Sequence, residues 1–239
     1  MLKRILFFVR KSENIFGFII LNRMRFGVVR KDEAVGYGNF NKNLIEECAV
    51  ELAKIGHEVV DFELTEKMWH MEYLSKKLFL GSQEKHMMLN ELRGERSTLG
   101  VELGLIANEL PDTFRIAGKT MLRASGEELA ADALDCLGEI KGREFDLLLR
   151  ERELLKKQFY DYWQSLDLDA LILPISYAWA PRRHEEGFVA CRFHGCLTNC
   201  LELPCGTIPI RYATVKDEGF DFEFSKKNRM MKTLIRKNL

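Results

Sequence analysis

Between residues 25 and 62 the chain reads RFGVVR, a loop holding two glycines and an asparagine, an amphipathic stretch, one glycine, and then HEVVDF. No other feature constrains the fold as much. Both short runs are rich in β-branched residues, which favours strands. Between them, Leu44, Ile45, Cys48, Leu52 and Ile55 fall near one helical face, with Glu46, Glu47, Glu51 and Lys54 opposite. Asn41 or Asn43 is placed to cap that helix, and Gly56 to end it. Strand, helix and strand at this spacing make a βαβ unit, so the two strands lie parallel with a right-handed crossover.

Downstream the pattern becomes helical from Thr65 to Gln164. Lys67–Leu80 carries Met68, Met71, Leu74 and Leu78 at helical spacing. Leu99–Leu110 is a second apolar stretch limited by Pro111, and Glu127–Ile140 and Glu144–Leu166 follow, separated by Gly138 and Gly142. Then DLDALILP, residues 167–174, reads as a buried strand led in by two aspartates. Residues 175–187 read as a loop, 188–201 as a helix and 206–212 as a strand. The tail from Asp217 to Leu239 is polar and ends basic.

Composition narrows the function classes. The 239 residues are 46% hydrophobic and 30% charged, enough for one large core. Thirty-six basic residues balance 36 acidic ones. A neutral balance offers nucleic acid no electrostatic footprint, and it leaves little repulsion between copies, so a homo-oligomer is expected. The N-terminus has two apolar bursts, Ile5–Val9 and Ile15–Leu21, split by RKSEN. Each is far shorter than the roughly 20 apolar residues that span a bilayer, and no cleavage site follows. A cytoplasmic or peripheral-membrane location is therefore expected over secretion, with reduced thiols.

Cys191, Cys196, Cys200 and Cys205, four of the six cysteines, crowd with His194 into LTNCLELPCGTIPI and the residues before it. Without a CxxC pair the spacing favours buried thiols acting as small hydrophobes. A zinc site or a nucleophilic Cys200 or Cys205 are the alternatives. His184 with Arg182 and Arg183 reads as a solvated loop, and His57, His70 and His86 as isolated surface or core residues. The chain carries no GxSxG, GxxxxGK[ST], HExxH or GxGxxG, and no cofactor motif.

The segment from Leu166 to Tyr212 resembles the C-terminal part of the amidase signature family, especially its fatty-acid-amide-hydrolase-like branch. That family's D-x-[LI]-[LI]-x-P strand matches Asp169, Leu171, Ile172 and Pro174, and its N-x-x-x-x-P-x-G-x-x-P turn matches Asn199, Pro204, Gly206 and Pro209. The βαβ unit ending in KIGHEVVDFEL is also similar to the family's. The resemblance implies a partial amidase-signature α/β fold, a mixed sheet flanked by helices with a large helical middle. It divides the chain into an atypical segment 1–24, a family part 25–216 and a polar tail 217–239.

The residues of the turn have physical roles that agree with this. Asn199 can cap or brace a backbone, Pro204 and Pro209 hold an extended course, and Gly206 permits a positive φ or a close backbone approach. With Cys200 they form a pocket wall or structural turn. The family hydrolyses amides with a Lys, a bridging Ser and a nucleophilic Ser in a Gly/Ser-rich loop. No residue here matches that equipment, and Lys11-Ser12 lacks the glycine-rich support. The expectation is a fragment of an amide hydrolase that is inactive as this chain, with no catalytic residue, metal or cofactor. The alternative is a non-catalytic relative that binds a fatty-acyl amide, another lipid or a membrane surface, with the helices around Met87–Ala124 as its apolar cap.

Overall fold

The computed structural model describes residues 2–9, 23–30, 38–81, 106, 109–138, 140–175 and 194–217. Several features read from sequence lie outside them: most of Leu99–Leu110, the loops at 31–37 and 176–187, the first turns expected at 188–193, Cys191 and the tail beyond 217.

Among the described residues the strands are β1 (Leu2–Val9), β2 (Arg25–Val28), β3 (Glu58–Asp61), β4 (Ala170–Pro174) and β5 (Cys205–Tyr212). The helices are α1 (Asn39–Lys54), α2 (Glu66–Gly81), α3 (Asp112–Ala124), α4 (Glu128–Asp135), α5 (Gly142–Ser165) and α6 (His194–Leu201). The strands form one sheet in the order β3-β2-β4-β1-β5. β2 runs parallel to β3 and β4, while β1 is antiparallel to β4 and β5, so the sheet is mixed.

The βαβ unit forms as its sequence requires, with Phe26 opposite Val59 in a parallel ladder. α1 nevertheless starts earlier than expected. Gly38, extended at φ −60 and ψ 153, is its N-cap, and neither Asn41 nor Asn43 caps it. The reason is competition: Asn41 is buried inside the helix, and the Asn43 amide donates to Asp217. The other end is as read. Gly56 takes φ 95, its N–H donates to the Ala53 carbonyl (3.1 Å), and the His57 N–H reaches back to Leu52 (3.1 Å). This paired closure satisfies the last carbonyls of the helix.

β4 is buried along its whole length and occupies the middle of the sheet. Two side chains set its register and that of β3. The Asp169 carboxylate accepts from the Arg25 backbone N–H (2.8 Å), and His57 Nδ1 accepts from the Met24 N–H (3.2 Å). Side chains from β3 and β4 thus both tie down the start of β2. α5 lays Leu155, Phe159 and Trp163, one turn apart each, against this core. Phe159 meets Phe62 at 5.7 Å, and the Trp163 indole donates to the Leu168 carbonyl (2.6 Å). Val28, Phe40, Leu44, Ile45, Phe62, Leu74, Leu171 and Leu197 complete the buried centre.

Residues 2–9 lie inside the sheet. Their backbone pairs Phe7 with Ile172 on one side and with Gly206 on the other. The apolar burst at Ile5–Val9 is too short for a membrane but has ample strand propensity. β5 is the outer strand on this side, with Ile208, Ile210 and Tyr212 exposed.

Candidate functional site

The family-like turn lies where α6 runs into β5. α6 ends on Glu202, which takes the left-handed conformation at φ 54. Its N–H donates to the Asn199 carbonyl and the Leu203 N–H to Thr198, each at 3.3 Å. Asn199 therefore braces the turn with its backbone, while its side chain is exposed. Leu203 and Pro204 are irregular, and β5 starts at Cys205.

The remaining residues read from sequence fall as follows. Pro204 and Pro209 are exposed, and Pro209 sits opposite Arg4 in the ladder. Gly206 is not at positive φ; it is extended and pairs with Phe7. The positive-φ position is two residues before Pro204, at Glu202, because helix closure and not the strand needs it. Cys200 is buried in the core beside Leu197 and Leu201. Burial pushes its thiol up to about 11.

Other thiols behave alike. Burial raises Cys196, and pushes Cys48 to about 11 and Cys136 to about 12. Such thiols are protonated at neutral pH and make poor nucleophiles. Cys205 is exposed, and its Sγ–H points to Thr198 Oγ1 at 3.8 Å. Among the described residues no group of three or more His, Cys, Asp or Glu could hold a metal ion. Among them, too, no helix is long and apolar enough to cross a membrane.

Two polar clusters fix the junction, and the sequence alone does not announce either. Glu202 receives Lys156 and, at 3.4 Å, Arg152, both from α5; Lys156 holds its carboxyl below the usual range. The Tyr160 hydroxyl donates to the Leu201 carbonyl (3.1 Å). At the far end of β5, Arg211 lies between Glu47 and Asp217. Its Nε and Nη2 reach Glu47 at 2.6 and 2.8 Å, and Nη1 and Nη2 reach Asp217 at 2.7 and 2.9 Å. Asp217 also accepts from the Thr214 N–H, the Thr214 hydroxyl and Asn43. The guanidinium holds its carboxyl well below the usual carboxylate range, and the same pairs raise Arg211.

The junction is thus a backbone corner with polar contacts at both ends, and Asn199, Pro204, Ile208 and Ile210 are exposed. Over residues 19–230 the chain matches the family described as Amidase. The chain belongs to the amidase family. Among solved structures that match, one is described as "Fatty acid amide hydrolase", with a TM-score of 0.51 and 15% identity. The match covers 77% of this chain and 27% of that one, so the two share a fold and this chain spans about a quarter of the neighbour's length. No curated protein matches the chain. The βαβ unit, the buried strand with Asp169 and the α6–β5 corner are accordingly parts of an amidase-family fold.

Proposed function

We propose that this chain forms one wall of an acyl-amide cleft of the amide-hydrolase type and does not itself hydrolyse amides. The observation that carries this is the α6–β5 corner. It holds the family-like residues Asn199, Pro204, Gly206 and Pro209 on a clamped backbone and leaves Ile208 and Ile210, 45% and 38% exposed, beside them. An apolar strip on a paired strand suits an acyl chain. Hydrolysis would further need an activated nucleophile and oxyanion donors, which supply most of the rate. The test has two arms. Purified chain given a long-chain primary fatty-acid amide should release no ammonia above buffer; turnover abolished by a fluorophosphonate would overturn the inactive reading. A fluorescent fatty-acyl amide should bind and should lose affinity in Ile208→Glu; failure to bind would overturn the cleft reading.

A second reading, contact with a lipid surface, is favoured by α3. Phe114 and Met121, two turns apart on one face, are 65% and 73% exposed, and Ile106 and Leu110 just upstream are exposed too. Flotation with phosphatidylcholine vesicles should carry the wild-type chain upward and leave the Phe114→Glu/Met121→Glu variant behind. Wild-type chain that stays at the bottom removes this reading. Self-association through the same residues would show as a dimer in sedimentation that the double variant abolishes.

A further inference from the structure

β1 stands between two strands that are related to each other. β4 and β5 are each antiparallel to β1, so they run parallel to one another. In chain order they enclose α6, and β4, α6 and β5 form a strand–helix–strand unit whose strands flank β1 in the sheet. Neighbouring strands are about 4.8 Å apart, so β4 and β5 are separated by about 10 Å, the width that one inserted strand fills. Both strands and α6 lie within residues 19–230, over which the chain matches the amidase family. β1, at Leu2–Val9, lies ahead of that stretch.

The pairing fixes both direction and register. Leu6 has Leu173 on one side and Thr207 on the other, Phe7 has Ile172 and Gly206, and Phe8 has Leu171 and Cys205. A strand paired along both edges offers its main-chain N–H and C=O groups to its neighbours. Extended peptides that add to a sheet are recognised in this way. The ladder also has stops. Pro174 is the last residue of β4, and a proline has no N–H to give. On β5 the pairing jumps from Pro209, opposite Arg4, to Tyr212, opposite Leu2. A slipped strand would have to move that irregularity elsewhere.

We infer that the amidase-family part of this chain carries a strand-acceptor slot between β4 and β5, and that residues 2–9 fill it as a replaceable antiparallel ligand recognised through its main chain. The frame of the slot has its own fastenings. β2 pairs with β3 and β4, and the buried core joins Phe26 of β2, Leu171 of β4, Leu44 of α1, Phe159 of α5 and Leu197 of α6. β5 is tied through Arg211 to Glu47 of α1 and to Asp217. A separate chain presenting the sequence of β1 makes the same ladder bonds, because nothing in a ladder depends on which chain supplies the strand. The slot is thus a docking surface for an extended segment of this sequence.

The test uses the full chain. Leu6→Pro removes an N–H from a residue paired on both sides and should empty the slot. A fluorescent peptide with the sequence of residues 1–11 should then bind the Leu6→Pro chain at least about tenfold more tightly than the wild type, where the chain's own strand occupies the site. Anisotropy titration reads the difference. Equal affinity for the two chains would overturn the slot, and so would equally tight binding of the same peptide carrying Leu6→Pro. Hydrogen exchange separates a vacated slot from an unfolded chain. In Leu6→Pro the amides of β2 and α5 should stay as protected as in the wild type, those of β5 should exchange faster, and added peptide should restore β5. Loss of protection in β2 and α5 as well would overturn the proposal, since β1 would then be part of the core and not its ligand.

Discussion

Replacing Asp217 by Asn should destabilise the chain by about 3 kcal/mol and remove much of its sensitivity to acid. The carboxylate is 1% exposed, covered by the five donors that surround it. Oδ1 takes Arg211 Nη2 and Asn43; Oδ2 takes Arg211 Nη1 and both Thr214 donors. An asparagine amide can accept at one of these positions and must present N–H groups at the other. Its better orientation still sets two donors, one of them charged, against a donor. Each hydrogen bond to a charged group contributes about 1.5–3 kcal/mol. Arg211 keeps Glu47 and is a quarter exposed, so the lower end applies and the loss comes to about 3 kcal/mol.

In a chain of this size that lowers Tm by about 6–12 °C. The pH dependence has a definite sign. A carboxyl held below its unfolded value of about 3.9 stabilises the fold at every pH above that value, and this contribution is lost as pH falls towards the depressed folded value. Urea titrations from pH 7 down to pH 3 should therefore show wild-type stability falling below about pH 4.5, and Asp217→Asn should show a shallower fall. A Tm change under about 2 °C, or parallel acid limbs, would refute the argument that this cluster ties β5 to α1.

Two further substitutions probe the sheet. Gly27→Ala should cost about 1–3 kcal/mol in urea unfolding, because a Cβ there would meet Leu168 Cδ1 at 2.7 Å and Leu171 Cδ1 at 3.1 Å; a neutral result would mean that these leucines repack freely. Asp169→Ala should cost about 1–3 kcal/mol by leaving the Arg25 N–H without its acceptor, and Asp169→Asn, which keeps an oxygen there, should recover most of it.

The sequence shows the frame of this fold well and its fastenings poorly. β2, β3 and β4 were legible because short β-branched or wholly apolar runs between turn residues admit few other readings. Gly56 was legible because the conformation at that helix end favours glycine. β1 was read against the wrong question, that of membrane length, and its strand character passed unnoticed. The cap of α1 was misassigned because the sequence does not show that Asn43 is engaged by Asp217, 174 residues away. Of the two roles read for Gly206, the positive φ falls instead to Glu202, where the helix closes through the Glu202 and Leu203 amides. Arg211, Asp217, Glu47 and Lys156 were invisible for a common reason. Each is an ordinary polar residue until the fold brings a partner from a distant segment to it.

The side chains of His57 and Asp169 meet consecutive backbone amides at the head of β2, one from each flanking strand. Both residues belong to stretches that resemble the family's, and each works there as a spelling rule for how three strands align. A signature written in such letters labels an architecture. Any chain that keeps this alignment will answer to the family's name, whether it hydrolyses amides, holds an acyl chain or only lends its shape to a partner.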